Sequence, residues 1–317
     1  MSFRSSIKRF INKCFIKFLN YKKMKNYIIS LGSLAIIIGL IASCDYVDNA
    51  IPPNTTTTTT TGGTTGPTVI NRKVFVEDYT GHKCGNCPAA ADELKNLEKQ
   101  YPGKIVPLAI HAGFFAVVNN SYPTEFRTPA GNDYDTQFGI SQAGNPNGLT
   151  NRTGFGSASF IKAYPSWGGE VAQMITQPAK FQIKIKNTYF SGTNTLDADI
   201  TVKSLGANNG SYKLVVLLSE DSIIAEQLDY RLPTGSQFVP NYKFDHILRG
   251  AINSSWGDAI FASGGLANDS VVKSYKSFAL KSNYKPYKCH VIAYVYDAAA
   301  ASPTYYEVLQ VEEEKVK

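Results

Sequence analysis

The sequence predicts an α/β unit followed by an all-β sandwich, and three observations carry that reading. A strand-like run from Lys73 to Thr80 turns at Gly81 into a helical stretch, with Cys84-Gly85-Asn86-Cys87 at the junction. The apolar period is helical up to about residue 177 and becomes two from Ala179 onward. Asp45 to Thr68, with seven consecutive threonines from Thr55 to Thr61, can bury nothing and sets the folded part off from what precedes it.

The N-terminal segment fixes the expected compartment. Tyr27 to Ser43 carries no charge and is rich in Ile, Leu, Gly and Ala, and Lys22, Lys23 and Lys25 stand just before it. That is the positive region and apolar region of an export signal. It ends Leu40-Ile41-Ala42-Ser43-Cys44, which resembles the lipobox of bacterial lipoproteins, with Cys44 as the lipid-bearing residue. A plain transmembrane anchor is the alternative, but the apolar run stops at a cysteine followed by Asp45 and a polar tether. Residues 1–43 are read as the signal, with 1–23 as an untranslated extension ahead of Met24, and 44–69 as the Thr-rich tether. Eight of the 32 Lys/Arg and none of the 25 Asp/Glu lie in 1–43, which leaves 24 basic against 25 acidic residues. The high isoelectric point therefore belongs to the presequence, and the sequence offers no support for a nucleic-acid partner.

Residues 70–177 read as the α/β unit. Ala90, Leu94, Leu97 and Tyr101 fall on one face of a helix over 86–101, and Pro102-Gly103 ends it. Ile105 to His111 is a second strand, 112–145 a partly helical insertion rich in aromatics, and Pro165 to Ile175 a closing helix. In 178–317, alternation over 181–186 and 196–203 and an apolar run over 212–218 mark strands. More follow near 221–229, 271–279, 288–296 and 305–312, which suits an antiparallel sandwich of immunoglobulin-like type. Asp245 to Gly250 breaks this rhythm and is expected to be a crossing between strands, and Glu312-Glu313-Glu314 a solvated end.

The cysteine pair carries the chemistry. A thiol at a helix N-terminus meets the positive end of the macrodipole, so its thiolate is favoured, and a thiol one turn on can close a small disulfide. Pro88 fits the first turn, where its missing N–H has no partner to lose. A zinc half-site is the alternative, and it wants a second pair or added histidines. Cys289, on one strand face with Val291, Ala293 and Val295, reads as a buried small hydrophobe.

Residues 70–177 resemble the thioredoxin superfamily. Asp78, six residues before Cys84, matches the buried acid that serves the resolving cysteine, and Pro146 of Asn145-Pro146 matches the cis-proline facing the disulfide. Lys83 and Asn86 depart from that pattern, as does the insertion after His111. A wider resemblance is carried by Glu77 to Pro88, Ile110-His111-Ala112-Gly113, Gly144 to Leu149 with Asn151-Arg152, and His246 to Ala251. In these the chain is similar to the Omp-twenty-eight (28-kDa outer-membrane protein) family of Gram-negative envelope lipoproteins. That resemblance implies a thioredoxin-like domain followed by a β-sandwich, held at the outer membrane through lipid on Cys44.

Two functions follow as expectations. In one, the chain exchanges disulfides with envelope proteins: Cys84 attacks, Cys87 resolves, Asp78 takes the proton, and Pro146 shapes the groove. In the other, the Cys84–Cys87 disulfide is structural and the chain is a non-enzymatic surface binding protein or adhesin. A metal site of Cys84, Cys87 and His82 or His111 is a weaker third reading, against which His82 is a solvated turn residue and His111 a satisfied strand end. No cofactor is called for by any motif.

Overall fold

The structure is a computed structural model that describes residues 69–261 and 265–317. The expected signal, Cys44 and the expected tether up to Thr68 lie outside the described residues, among which no helix is long and apolar enough to cross a membrane. In chain order the α/β part comprises β1 (Val74–Thr80), α1 (Cys87–Gln100), β2 (Ile105–His111), α2 (Pro129–Phe138), α3 (Ile140–Ala143), β3 (Asn147–Thr150), β4 (Lys162–Ala163) and α4 (Trp167–Met174). The strands that follow are β5 (Phe181–Phe190), β6 (Thr195–Ser204), β7 (Tyr212–Glu220), β8 (Ile223–Leu228), β9 (Phe238–Phe244), β10 (Ile247–Ala251), β11 (Asp258–Ile260), β12 (Ser270–Ala279), β13 (Cys289–Asp297) and β14 (Val308–Lys315). The protein is mostly β, with a mixed sheet and few helices.

The main sheet runs β14-β13-β7-β10-β2-β1-β3-β4, with β11 beside β7. β1 pairs parallel with β2 and antiparallel with β3. Every residue of β1 and β2 is buried because both faces are covered, which is why these strands read as near-continuous apolar runs. Val74 and Val76 face Ala90, Leu94 and Leu97 of α1 and Trp167, Val171 and Met174 of α4. Phe75 and Tyr79 face the other way, onto Tyr134 and Phe138 of α2 and onto Ile292 and Tyr294 of β13. The insertion expected as an excursion thus supplies, through α2, part of the cover over one face of the sheet, with Phe155, Phe160, Trp256 and Tyr306 adding to it.

Strand pairing does not follow the expected boundary at 177/178. β10 lies between β2 and β7, with Ile247 opposite Ala109, so the sheet continues from the first part into the second. Asp245 to Gly250, expected as a crossing, therefore supplies a central strand. Its Ile247 and Leu248 are buried, and a bulge between Leu248 and Gly250 ends the regular register. The sandwich expected in 178–317 exists in part. β12-β6-β5 form a separate sheet whose buried residues, among them Leu196, Ala198, Ile200 and Val202, pack on Leu214, Val216, Val291 and Val295 of the main sheet. Cys289 is free and buried in this layer. The acidic run Glu312 to Glu314 is not a solvated end but part of β14; Glu312 pairs with Lys73, and burial raises the Glu313 carboxyl to about 7.

One ion pair sits in the centre of the sheet face. Arg152 donates from Nε and Nη2 to the two carboxylate oxygens of Glu77, both at 2.7 Å, and neither side chain has any solvent exposure. The guanidinium lies 4.6 Å from the Tyr134 ring, 5.0 Å from Phe138 and 5.1 Å from Tyr294. Removing one partner of such a pair strands the other charge in an apolar core. Arg152→Met is expected to lower unfolding stability by about 3–5 kcal/mol, read by urea denaturation. A loss below about 1 kcal/mol would mean that the face rests on its aromatic packing instead.

Candidate functional site

The turn after β1 is set by close packing. A Cβ on Gly81 would sit 2.4 Å from the backbone of Phe115, so only glycine lets the turn press against the 113–116 segment, where Lys83 N donates to Phe115 O at 3.1 Å. This places Cys84 and Cys87 in a disulfide at the start of α1, with Cα atoms 5.4 Å apart. Pro88 stands in the first helical turn as expected, and Asn86 at the N-cap makes no side-chain capping bond.

The pair differs from expectation in one respect. Disulfide exchange needs an exposed sulfur, but Cys84 is 3% and Cys87 2% accessible. The end of β8 and the loop after it lie across them. Leu228 N donates to His82 O and Tyr230 N to Gly85 O, both at 2.8 Å, and the Gln227 side chain donates to Cys84 O at 3.0 Å. The Tyr230 ring rests on Gly85, where a Cβ would come within 2.5 Å of it. Arg231 closes the strap by pairing with Asp92 and donating to Pro88 O at 3.2 Å.

Behind the disulfide, a cavity of about 30 Å³ is lined by Asp78, Cys87, His111, Tyr242 and Phe244. It has room for a water molecule and offers polar partners for one. Asp78 faces Ala109 in β2 and Gly148 in β3, is almost wholly buried, and its Oδ1 has no partner among the described residues. Burial pushes its carboxyl up to about 8. His111 opposes Thr80 in the register, and both its ring nitrogens lack partners among the described residues. Burial, with His82 adding to it, holds its imidazole down at about 3, so the ring is neutral. The Asn145-Pro146 peptide is cis and precedes Asn147, the partner of Tyr79.

His82 and His111 both depart from the expected readings. His82 is buried rather than solvated, with its ring stacked on Tyr122 at 5.3 Å and 6.3 Å from His111; burial lowers its pKa. His111 is a strand end whose polar atoms are not satisfied. Among the described residues no group of three His, Cys, Asp or Glu side chains is arranged to hold a metal ion. Sequence reasoning missed Gln227, Tyr230 and Arg231 altogether. The place of His111 at the same sheet end as Thr80 is as the sequence reading has it.

Comparison with known proteins adds a family and a fold. The profile of the family Outer membrane protein Omp28 matches residues 131–317, more than half of the chain. The chain belongs to the Omp28 family. No curated protein matches it. Among solved structures it is similar to HBP35 of Porphyromonas gingivalis, with a TM-score of 0.57 at 16% identity over 78% of this chain and 76% of that one, a likeness of fold alone. A protein of Agrobacterium tumefaciens aligns at a TM-score of 0.43 and 14% identity over 78% of this chain and 96% of that one, too low for a shared fold to be argued. The Omp28 match begins after the cysteine pair and includes the strap, β10 and Arg152 with its aromatic neighbours, but not Glu77.

The Asp78 carboxyl has a direct consequence for stability. Its folded pKa lies above its ordinary value of 3.8, so the folded state keeps a proton that the unfolded chain gives up. Stability is full below about pH 4 as far as this group is concerned, and is lost as pH rises toward 8. Asp78→Asn is expected to raise stability by a few kcal/mol at pH 8 and by little at pH 4, measured by denaturation at both. An equal gain at the two pH values would mean that Asp78 is not held protonated.

Proposed function

We propose that this Omp28 protein is a lipid-anchored outer-membrane protein whose thioredoxin-like part exchanges disulfides with envelope proteins. The observation that carries the reading is the buried, unpaired Asp78 carboxyl in the same cavity as Cys87. A carboxyl so placed costs stability and makes no structural bond through Oδ1, and such groups gather where protons are moved. In the oxidised pair, a substrate thiolate attacks Cys84 Sγ, the Cys84–Cys87 bond breaks, and Cys87 leaves as a thiolate. Asp78, protonated at neutral pH, is the donor for that sulfur. A second substrate thiolate then attacks the substrate sulfur bound to Cys84, forming the substrate disulfide as the bond to Cys84 breaks and Cys84 leaves as a thiolate, so the substrate is oxidised and the pair reduced; the reverse sequence reduces a substrate. Pro146, beside the end of β1, would shape the groove. The strap over Cys84 must lift before either direction can run.

A second reading has one observation in its favour. A pair as covered as Cys84–Cys87 is also what a structural disulfide in a surface binding protein or adhesin would be. Cys87→Ser separates the two. Under the exchange reading, Cys84 in this variant accumulates mixed disulfides with envelope partners, visible on non-reducing gels and identified by mass spectrometry. No trapped species, with Cys84 titrating near the roughly 8.5 of a free thiol, would leave the binding reading standing. The anchor is a separate expectation: Cys44→Ala should release the chain from membranes or leave its signal uncleaved, and unchanged processing with unchanged membrane attachment would sink it.

A further inference from the structure

An open cavity of about 600 Å³ lies away from the disulfide, between the segment before α2, the start of β8, and the loop that follows β12. Its volume is in the range of sites that hold small organic ligands. Arg249 of β10 forms part of its wall. That side chain is 9% accessible; its Nε lies 3.1 Å from Glu220 Oε2, and its guanidinium sits over the Tyr284 ring at 4.0 Å. Neither terminal nitrogen of Arg249 donates a hydrogen bond among the described residues.

The charge around Arg249 is unbalanced. Arg127 and Lys281, Lys285 and Arg249 line the cavity together with only two carboxylates, Glu125 and Glu220. Glu125 is held by Arg127 at 2.5 Å, and Glu220 accepts from the Lys285 backbone N–H at 2.9 Å while facing Arg249. Lys281 and Lys285 have no ion-pair partner among the described residues; the Lys281 ammonium lies 5.8 Å from the Tyr284 ring. Phe126, Ile223 and Ile224 add apolar surface, and Ile224 is exposed.

We infer that this cavity binds an organic carboxylate with an apolar body, either a free acid or the C-terminal residue of a peptide. The Arg249 guanidinium lies with Nε 3.1 Å from Glu220 Oε2 but makes no hydrogen bond there, and its two terminal N–H groups are open to a planar two-oxygen acceptor, the geometry in which arginine recognises carboxylates. The Tyr284 ring and the Glu220 contact fix the plane of the fork before anything arrives, so little freedom is lost on binding. The two lysines supply the surplus charge that draws an anion in, and the isoleucines and Phe126 take its apolar part. The inference does not depend on disulfide exchange.

The test uses the full chain in detergent, titrated by calorimetry with N-acetylphenylalanine and with its neutral amide. The acid is expected to bind at least tenfold more tightly than the amide. Lys281→Gln/Lys285→Gln should weaken the acid severalfold and leave the amide unchanged. Arg249→Lys keeps a charge beside Glu220, so the fold is preserved, and should remove most of the preference for the acid. A hexapeptide ending in a free phenylalanine identifies the source: binding like the acid assigns a peptide C-terminus, and binding by the small acid alone assigns a free metabolite. Equal affinity for acid and amide, no heat with the acid at 10 mM (roughly the weakest affinity of interest for a specific small-ligand site), or inorganic phosphate binding as tightly as the acid would each overturn the assignment.

Discussion

The buried pair of Glu77 and Arg152 is the constraint on which the rest of the molecule depends. Glu77 stands in β1 at the centre of a wholly buried strand, where an unpaired carboxylate could not remain charged. Arg152 reaches it only because the chain turns sharply after β3. Asn151 and Arg152 both hold positive φ, 48° and 52°, a conformation that costs energy for residues with a side chain. Three hydrogen bonds of Asn151, each at 2.8 Å, offset that cost: its N–H and its Oδ1 bind the backbone of Phe75, and its carbonyl accepts from Val308 N. The turn therefore ties β1 to β14, and the aromatic cage around the guanidinium ties α2 to β13. One charge pair holds together segments from both ends of the folded chain.

The site inherits its geometry from that arrangement. With β1 pinned on both sides, Asp78 has nowhere to point except the cavity behind Cys87. β10 closes the other flank of β2, and His246 O accepts from Ala109 N at 2.8 Å, two residues before His111. Among the described residues, Asp78 Oδ1 and both ring nitrogens of His111 are buried without partners at this one sheet end, while a few residues away both carboxylate oxygens of Glu77 are met by Arg152, which leaves only its Nη1 without a partner. That contrast is what makes the small cavity chemically interesting: the fold can satisfy buried polar atoms, and here it leaves them open.

Local pattern made much of this legible. The helix expected over 86–101 is α1 at Cys87–Gln100, because Ala90, Leu94 and Leu97 fall on a single face. The strict alternation of β6 follows from one face lying on the main sheet. The cysteine pair could be found by its spacing, and Asp78 by the thioredoxin resemblance that matches it six residues before Cys84. What escaped was tertiary in origin. β10 is five residues long, meets β2 through one register pair, and contains a glycine bulge, so it carries no period to detect. β9 mixes exposed and half-buried residues with a proline and has no clean alternation. The strap contacts backbone carbonyls of residues 82–85, and a contact to backbone leaves no mark on the sequence of its partner. The exception is Gly85, the one residue there that must stay small, and its reason lies about 145 positions further on, in Tyr230.

That cover turns the disulfide into a reporter of local opening. Any reagent or partner large enough to need Sγ of Cys84 must wait for residues 227–231 to leave, so its rate is the product of the open fraction and the rate on an open pair. Two hydrogen bonds from the strap backbone, one from Gln227, one from Arg231 to Pro88 O and the exposed Arg231–Asp92 pair are what must break first, and the last of these is sensitive to salt. Amide protons of Leu228 and Tyr230 should therefore exchange with solvent in step with the loss of the disulfide, and ionic strength should quicken both together. Access to the sulfurs would then be governed by the surrounding ionic strength as much as by the chemistry of the thiols.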